Sequence, residues 1–560
     1  MTTSSAIPEP EPASAPARTG APRHKPAASN ASGTAAPANR RLGRAATTEP
    51  LSDRATQALV RKVLLPQESG DKGRDSQTPI DELLPPLTSR NDVDLQLYAL
   101  LAIILRESVQ SWYNKITPDE TFVAEIIHVI AHCTRALEQR LRTLDLENLL
   151  LHEVPEILDK HITTYRSTHP DQSLQPVYID GREAYHALWP LPLLSPVPIP
   201  GDPITTPKQL GNEAAYRQLL VQAVLTVLLP TEDLENPCLT ALVGQIFSEL
   251  VIGNAIANKA VQPWMLFEAI CIIERVLAEK RRESDALKAS SGAKVPLKGP
   301  RSWSAQGFFV SIVQFVFLSI SMIRFAFTLI TMSFSLPSRG TEATGMKTAP
   351  EASFAGENAP RDTRLPPAKV PVLSFNAWSC LGNMIELHTR MPWFGGFLSL
   401  LQLGVVHGPG RVAGLDGVLD RLLSHHIQFL FSASHLPPLL RTLRGALFPN
   451  NAPGSSSMFP PSSHEELRAL RRRAARALWN MAPRCVGRLY FGGGLGAVLG
   501  ELSETAEEDM VNEMEGLLEV LGDEYCNKHL VYSVLELILV RLVPELTESG
   551  VDDLLQERLG

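Results

Sequence analysis

Residues 81–150 read DELLPPLTSRNDVDLQLYALLAIILRESVQSWYNKITPDETFVAEIIHVIAHCTRALEQRLRTLDLENLL, and this stretch decides the fold. Leu97, Leu100, Leu101 and Ile104 recur at three- and four-residue spacing, the period that lines one face of a helix. Trp112 and Tyr113 close that segment with two large rings able to anchor a helix end. Pro118, Asp119 and Glu120 then supply a proline and acidic side chains suited to a first helical turn, and Phe122, Val123, Ile126, Ile127 and Ile130 form a second apolar stripe. Such stripes need a partner surface, so the segment predicts helices built to pack on other helices.

The rest of the chain extends that reading. Strand signals are scarce, alternating runs bounded by glycine are absent and no solenoid period repeats, which predicts an all-α protein. A chain of 560 residues, 44% hydrophobic, is long enough for two to four structural units. Its net charge of −8, from 60 acidic and 52 basic side chains, gives no reason to expect nucleic acid as a partner. The six cysteines, Cys133, Cys238, Cys271, Cys380, Cys485 and Cys526, form no CxxC pair and read as reduced core residues of a cytosol-facing protein. The first fifty residues lack the apolar segment of a secretory signal, and Glu9, Glu11 and repeated prolines oppose an amphipathic presequence helix.

Composition divides the chain into a disordered Ala/Pro/Ser-rich tail (1–78), a first helical unit (79–282), a basic linker (283–306), an apolar helix (307–335), a disordered linker (336–369) and a C-terminal helical unit (370–560) with a loop at 449–463. Within the first unit, Ser167 to Lys208 reads as loop, because prolines at 190, 192, 196, 198, 200 and 203 cannot share one helix.

The apolar run GFFVSIVQFVFLSISMIRFAFTLITMSFS carries one formal charge, Arg324, and is long enough to span a bilayer. Its polar residues Ser311, Gln314, Ser321, Arg324, Thr328, Thr331 and Ser335 gather on one face. The opposite face presents Phe308, Phe309, Ile312, Phe315, Ile323, Phe327 and Ile330, the candidate lipid- or membrane-contacting residues. A central Arg costs about 2.5–3.5 kcal/mol in a spanning helix, so the stripe suits a helix lying in the plane of a membrane surface or against an apolar groove of the protein. A buried core helix and a single span are the competing placements. Packing of the two helical units against each other would exclude the span. Lys294, Lys298 and Arg301, just before the run, are placed to meet anionic headgroups, each worth about 1 kcal/mol near such a surface. Arg471, Arg472 and Arg473 form a second basic cluster, read either as a solvated helix face or as a headgroup contact.

Catalytic chemistry finds little support. His128 and His132 have the i, i+4 spacing of zinc ligands but lack the glutamate of a HExxH site, and His425-His426 are adjacent rather than on one face. Gly492 to Gly496 is similar to a phosphate loop without the strand or the Gly-Lys-Ser/Thr that such loops require, and His407-Gly408-Pro409-Gly410 has no serine partner. No catalytic residue, metal or cofactor is expected.

Several blocks resemble the PX-associated (PXA) domain of sorting nexins and of fungal proteins that carry it without a PX domain. They are Ser111-Trp112-Tyr113, Phe122, the Leu137 to Leu151 run, Leu228-Leu229-Pro230, Glu249-Leu250 and Pro263-Trp264, with Trp112, Tyr113, Pro230, Pro263 and Trp264 as motif residues. Asn527-Lys528-His529-Leu530 and Pro544-Glu545-Leu546 resemble the closing helices of the nexin C-terminal domain. The resemblance implies that the two domains pair around an elongated apolar cavity able to hold lipid acyl chains. It further implies a membrane-trafficking protein on the cytoplasmic face of endosome, vacuole or endoplasmic reticulum, with membrane lipids, phospholipid or phosphoinositide, and trafficking proteins as partners. The alternative is a protein-interaction scaffold in endosome-to-vacuole sorting, with filled interfaces and no lipid inside.

Overall fold

The second stripe packs as its spacing predicts. In the helix Thr121–Thr143, Val123 and Ile127 are buried, with Phe122, Ile126 and Ile130 packed against them. The first helix, Asn91–Leu105, turns differently: its buried residues include Val93, Tyr98, Ala99, Ala102, Ile103 and Leu105, whereas Leu97, Leu100 and Leu101 are half-buried and Ile104 is exposed. Small alanines let a neighbouring helix approach closely, so the deepest face is not the bulkiest one.

The computed structural model describes residues 51–65, 79–117, 121–169, 180–199, 201–290, 305–339, 369–451, 460–482, 487, 490–491 and 504–559. Among these residues every element is helical and no strand occurs, so the protein is all-α. Part of the tail expected to be disordered is a helix, Asp53–Leu64. Ser52 caps it by accepting from the Ala55 N–H at 3.4 Å, and its Val60 and Leu64 are buried beside Tyr98 and Ala102. A short apolar stripe was hidden there by the composition around it. The stretch expected to be loop from Ser167 to Lys208 contains the helix Gly181–Leu188, capped by Asp180, with Tyr185 fully buried. Its prolines bound the helix rather than forbid it. Cys271, Cys380 and Cys526 are buried, Cys133 is half-buried, and Cys238 is exposed, contrary to the core reading.

The two helical units share their cores and form one body over residues 49–560. Trp264, Phe267 and Cys271 pack with Leu470, Ala474, Met510 and Met514, where the helix Pro263–Ser290 lies along His464–Met481. Ile162, Tyr165, Tyr185 and Trp189 pack with Cys380, Val520 and Cys526. Val221, Leu225 and Ile252 pack with Tyr525 and Tyr532. The two helical units thus pack on each other along their length, and neither half buries its apolar faces without the other.

Three polar devices lock the halves together. Arg339 is buried and donates to Glu147 at 2.8 Å and to Asp420 at 2.7 Å. Ser424 donates to Glu147 at 2.7 Å, and the Val372 N–H donates to Asp420 at 2.8 Å, so the buried carboxylates are solvated by the protein itself. Second, the fully buried Glu213 accepts from Lys528 (3.2 Å), Tyr532 (2.8 Å) and Gln209 (2.8 Å), and pairs with Arg217 at 3.3 Å. Third, Asn527 donates to the Val261 carbonyl at 2.9 Å, while His529 sits edge-on to Tyr185, His186 and Tyr525 at ring distances of 5.1–5.3 Å.

The apolar helix runs Ala305–Ser335. From Phe315 onward its described side chains are exposed all round, apart from half-buried Ser319 and Leu329 and buried Ser333. It is therefore neither an interior helix nor one lying in a groove of the protein. Its hydroxyls bond back onto its own carbonyls: Ser319 to Phe315 (2.8 Å), Thr328 to Arg324 (2.8 Å), Thr331 to Thr328 (2.9 Å) and Ser335 to Met332 (2.6 Å). Three members of the polar stripe, Thr328, Thr331 and Ser335, are thus satisfied without water. By length and composition Phe315–Ser335 is able to cross a membrane, while the described residues that flank the helix, up to Ser290 and from Arg339, belong to the same body.

Two outcomes follow from these locks. Arg339→Ala strands two buried carboxylates and should cost about 3–5 kcal/mol in urea unfolding. A shift under about 1 kcal/mol, the worth of an exposed ion pair, contradicts the lock. Burial drives the His529 imidazole down to about 3, helped by His186 and His161, and that of His161 down to about 4. Below the ordinary value near 6.5 the unfolded chain takes up protons that the folded one refuses. Stability is then full above pH 6.5 and falls by about 1.4 kcal/mol per pH unit for each of the two as the pH drops toward 4. Unfolding at pH 7.5 and 5.0 measures this, and His161→Gln/His529→Gln should flatten the slope.

Candidate functional site

Between the halves lies a half-open cleft of about 1120 Å³. The first half contributes Val93 and Leu97 from Asn91–Leu105, Leu137 and Leu141 from Thr121–Thr143, and Leu144, Leu146 and Leu149 from the turn that follows. The opposite wall is Phe431, Leu436 and Leu440, from the junction of the helices Val418–Leu430 and Leu436–Leu447, with Val540 and Pro544 from the end of Glu524–Leu542. Asp145 shapes the turn by accepting from the Asn148 N–H at 3.1 Å, after which the chain widens into a π-turn over Leu149–Glu153. Leucines at 137, 141 and 144 keep one face through the helix end, which is why the wall continues around the corner.

The rim carries both signs of charge, already paired. Glu138 accepts from the Ser89 hydroxyl (2.6 Å), the Ser89 N–H (3.0 Å) and Arg142 (2.9 Å), which holds its carboxyl below the usual range. Glu153 accepts both arms of Arg541 at 2.8 Å. Arg339 and Glu147, buried, close the cleft beneath. The cleft thus offers apolar side chains within and balanced charge at its edge, the arrangement of a site for an amphipathic molecule. Its volume slightly exceeds the roughly 300–1,000 Å³ of most small-molecule pockets.

The described residues among those expected to line such a site do not line this cleft. Phe315, Ile323, Phe327 and Ile330 are 42–68% exposed, and none faces the cleft. Phe308, Phe309 and Ile312 fall in the same helix, with side chains outside the described residues, as are Lys294, Lys298 and Arg301. Arg471, Arg472 and Arg473 are not a free headgroup patch: they reach the Glu515 carbonyl (2.7 Å), Asn512 (3.2 Å) and Glu268 (3.2 Å), tying His464–Met481 to its neighbours. With side chains 25–65% exposed, they remain a partly solvated helix face whose charges also meet neighbouring elements. Among the motif residues, Tyr113 stacks on Phe122 at 4.5 Å, Pro230 precedes the helical turn Thr231–Leu234, Pro263 opens its helix and Trp264 is buried in the shared core. The Trp112 side chain lies outside the described residues. His128, His132, His425 and His426 are exposed, and the Gly492 to Gly496 run lies outside the described residues. Among the described residues no group of three His, Cys, Asp or Glu is placed to hold a metal. Sequence reasoning missed Glu147, Arg339 and Asp420, which no local pattern joins, and missed Leu436 and Leu440, which a leucine spacing of three and four residues at 436, 439, 440 and 443 does signal.

Residues 90–273 match the PXA domain family. Over 192 residues the chain is 31% identical to PXA domain protein 1 of Schizosaccharomyces pombe, a match covering 33% of this chain and 35% of that protein. The chain thus spans about a third of the length of that curated relative. No solved structure matches. The match opens at the helix Asn91–Leu105 and closes inside Pro263–Ser290, so it takes in the first wall of the cleft and leaves the opposite wall outside. This chain carries a PXA domain over residues 90–273.

Proposed function

We propose that this is a non-catalytic membrane-trafficking protein that holds a lipid acyl chain in the cleft between its halves and lays its apolar helix in the plane of a membrane. The PXA assignment favours membrane association. The observation that carries the lipid reading is the cleft itself, apolar inside and walled by both halves. Each methylene moved into it from water contributes about 0.8 kcal/mol, so even part of an acyl chain suffices for retention. The rim sets Arg90, Arg142 and Arg541 among Glu138, Asp145 and Glu153, a mixture that suits a zwitterionic phospholipid headgroup better than a multiply charged phosphoinositide.

The uncovered helix supports the membrane part of the reading. A helix with Phe315, Phe317, Ile323, Phe325, Phe327 and Phe334 each at least 60% exposed would be costly in water, and lipid removes that cost. The cytoplasmic face of endosome, vacuole or endoplasmic reticulum is the proposed place of action. A scaffold without lipid implies filled interfaces, and an open cleft does not favour it.

Purified protein examined by native mass spectrometry should carry phospholipid. Leu137→Trp/Leu440→Trp, which fills the cleft with two indoles, should lose that lipid while remaining folded. Equal lipid content in the variant, or none in the parent, overturns the proposal.

A further inference from the structure

Charge is missing from three elements that meet on one side of the molecule. One residue in five of the chain is charged (20%), so a stretch of twenty would average four; residues 391–410 and 422–440 contain none, and 302–338 contain only Arg324. The helix Pro392–His407 lies in the first of these, the end of Val418–Leu430 and the start of Leu436–Leu447 in the second, and the apolar helix Ala305–Ser335 in the third. They are neighbours. Val418–Leu430 packs on the apolar helix and on the short turn Val372–Ser374, and that turn supports Pro392–His407, where Gln402 donates to the Leu373 carbonyl at 2.6 Å.

The helix Pro392–His407 is uncovered on most of its circumference. Trp393, Phe397, Leu400, Leu401 and Leu403 are 52–73% exposed, and a side chain built at Gly396 or Gly404 would meet nothing within 4 Å. A flat protein partner covers one side of a helix. A solvent covers the whole of the remaining circumference, and the solvent that matches these side chains is lipid. At sixteen residues, with both ends tied into the body, the helix is too short to span and is held at the level of the surface. The cleft reaches the same side: Phe431 and Leu436 line it and are also 38% and 39% exposed beside Leu430 and Leu439.

We propose that Pro392–His407 is a second membrane-insertion element, and that together with the turn Phe429 to Leu436 it seats the mouth of the cleft on the bilayer. A lipid tail then passes between membrane and cleft without crossing water. This rests on the reading of the cleft as a lipid site and of the apolar helix as a membrane contact.

The test uses the full chain and vesicles of phosphatidylcholine with a minority of phosphatidylserine, part of the phosphatidylcholine brominated in its acyl chains. Phe397→Glu/Leu401→Glu should lower the vesicle-bound fraction about tenfold or more, since two carboxylates must be dehydrated on insertion, with an unchanged melting temperature because both sites are exposed. Bromine should quench tryptophan emission, and Trp393→Phe should lower that quenching by Trp393's own share, the remainder coming from Trp303, two residues before the apolar helix. Loading of lipid from vesicles should fall with binding in the Glu variant, while loading from detergent-dispersed monomer should persist. Undiminished vesicle binding by the Glu variant, or unquenched Trp393, overturns this inference and leaves the cleft as a lipid site standing. Failure of the parent chain to bind vesicles at all overturns the membrane reading with it. A concentration-dependent dimer that the Glu variant abolishes assigns the face to a second copy and also overturns the inference.

Discussion

One buried arginine sets the terms for this structure. Arg339 stands immediately after the apolar helix and reaches Glu147 in the PXA domain with one arm and Asp420 in the C-terminal half with the other. A buried cation between two carboxylates is tolerated only with good geometry and further hydrogen bonds, and Ser424 and the Val372 N–H supply these. The consequence is positional: the foot of the long apolar helix is fixed to the same point at which both halves meet.

From that point the rest can be argued outward. Glu147 belongs to the turn whose leucines make one wall of the cleft, and Asp420 belongs to the helix whose far end makes the other. The lock therefore sets the separation of the walls. The network of Glu213, Lys528 and Tyr532 and the imidazoles of His161 and His529 do the same work further along the interface. Because these groups come from both halves, the cleft exists only in the joined molecule, and a PXA domain alone would present one wall of it.

Much of the architecture was legible in the sequence, for a physical reason. Periodicity reports local faces, so the stripe at Val123 and Ile127 and the length of the apolar helix came out directly. Composition misled where a short stripe was embedded in polar sequence, as at Val60 and Leu64, and where prolines flanked a real helix, as around Tyr185. The site was less legible because its members are far apart: Leu97, Leu137, Leu440 and Val540 share no spacing. The phenylalanines of the apolar helix drew attention as lining residues since nothing in a sequence says that a greasy face is left uncovered. For the basic cluster at Arg471 to Arg473 the sequence could not show that acidic side chains distant in the chain, Glu268 and Glu519, lie beside it.

The central claim is that the apolar helix meets a membrane without crossing it, with both of its flanks on one side. Impermeant maleimide labelling of the full chain in sealed proteoliposomes tests this directly, with Ser284→Cys before the helix and Pro337→Cys after it, each in a Cys238→Ser background. Equal labelling of the two cysteines before detergent, within one orientation of the protein, is the result this account predicts. Protection of one cysteine until the vesicles are opened, with the other labelled from outside, would contradict it.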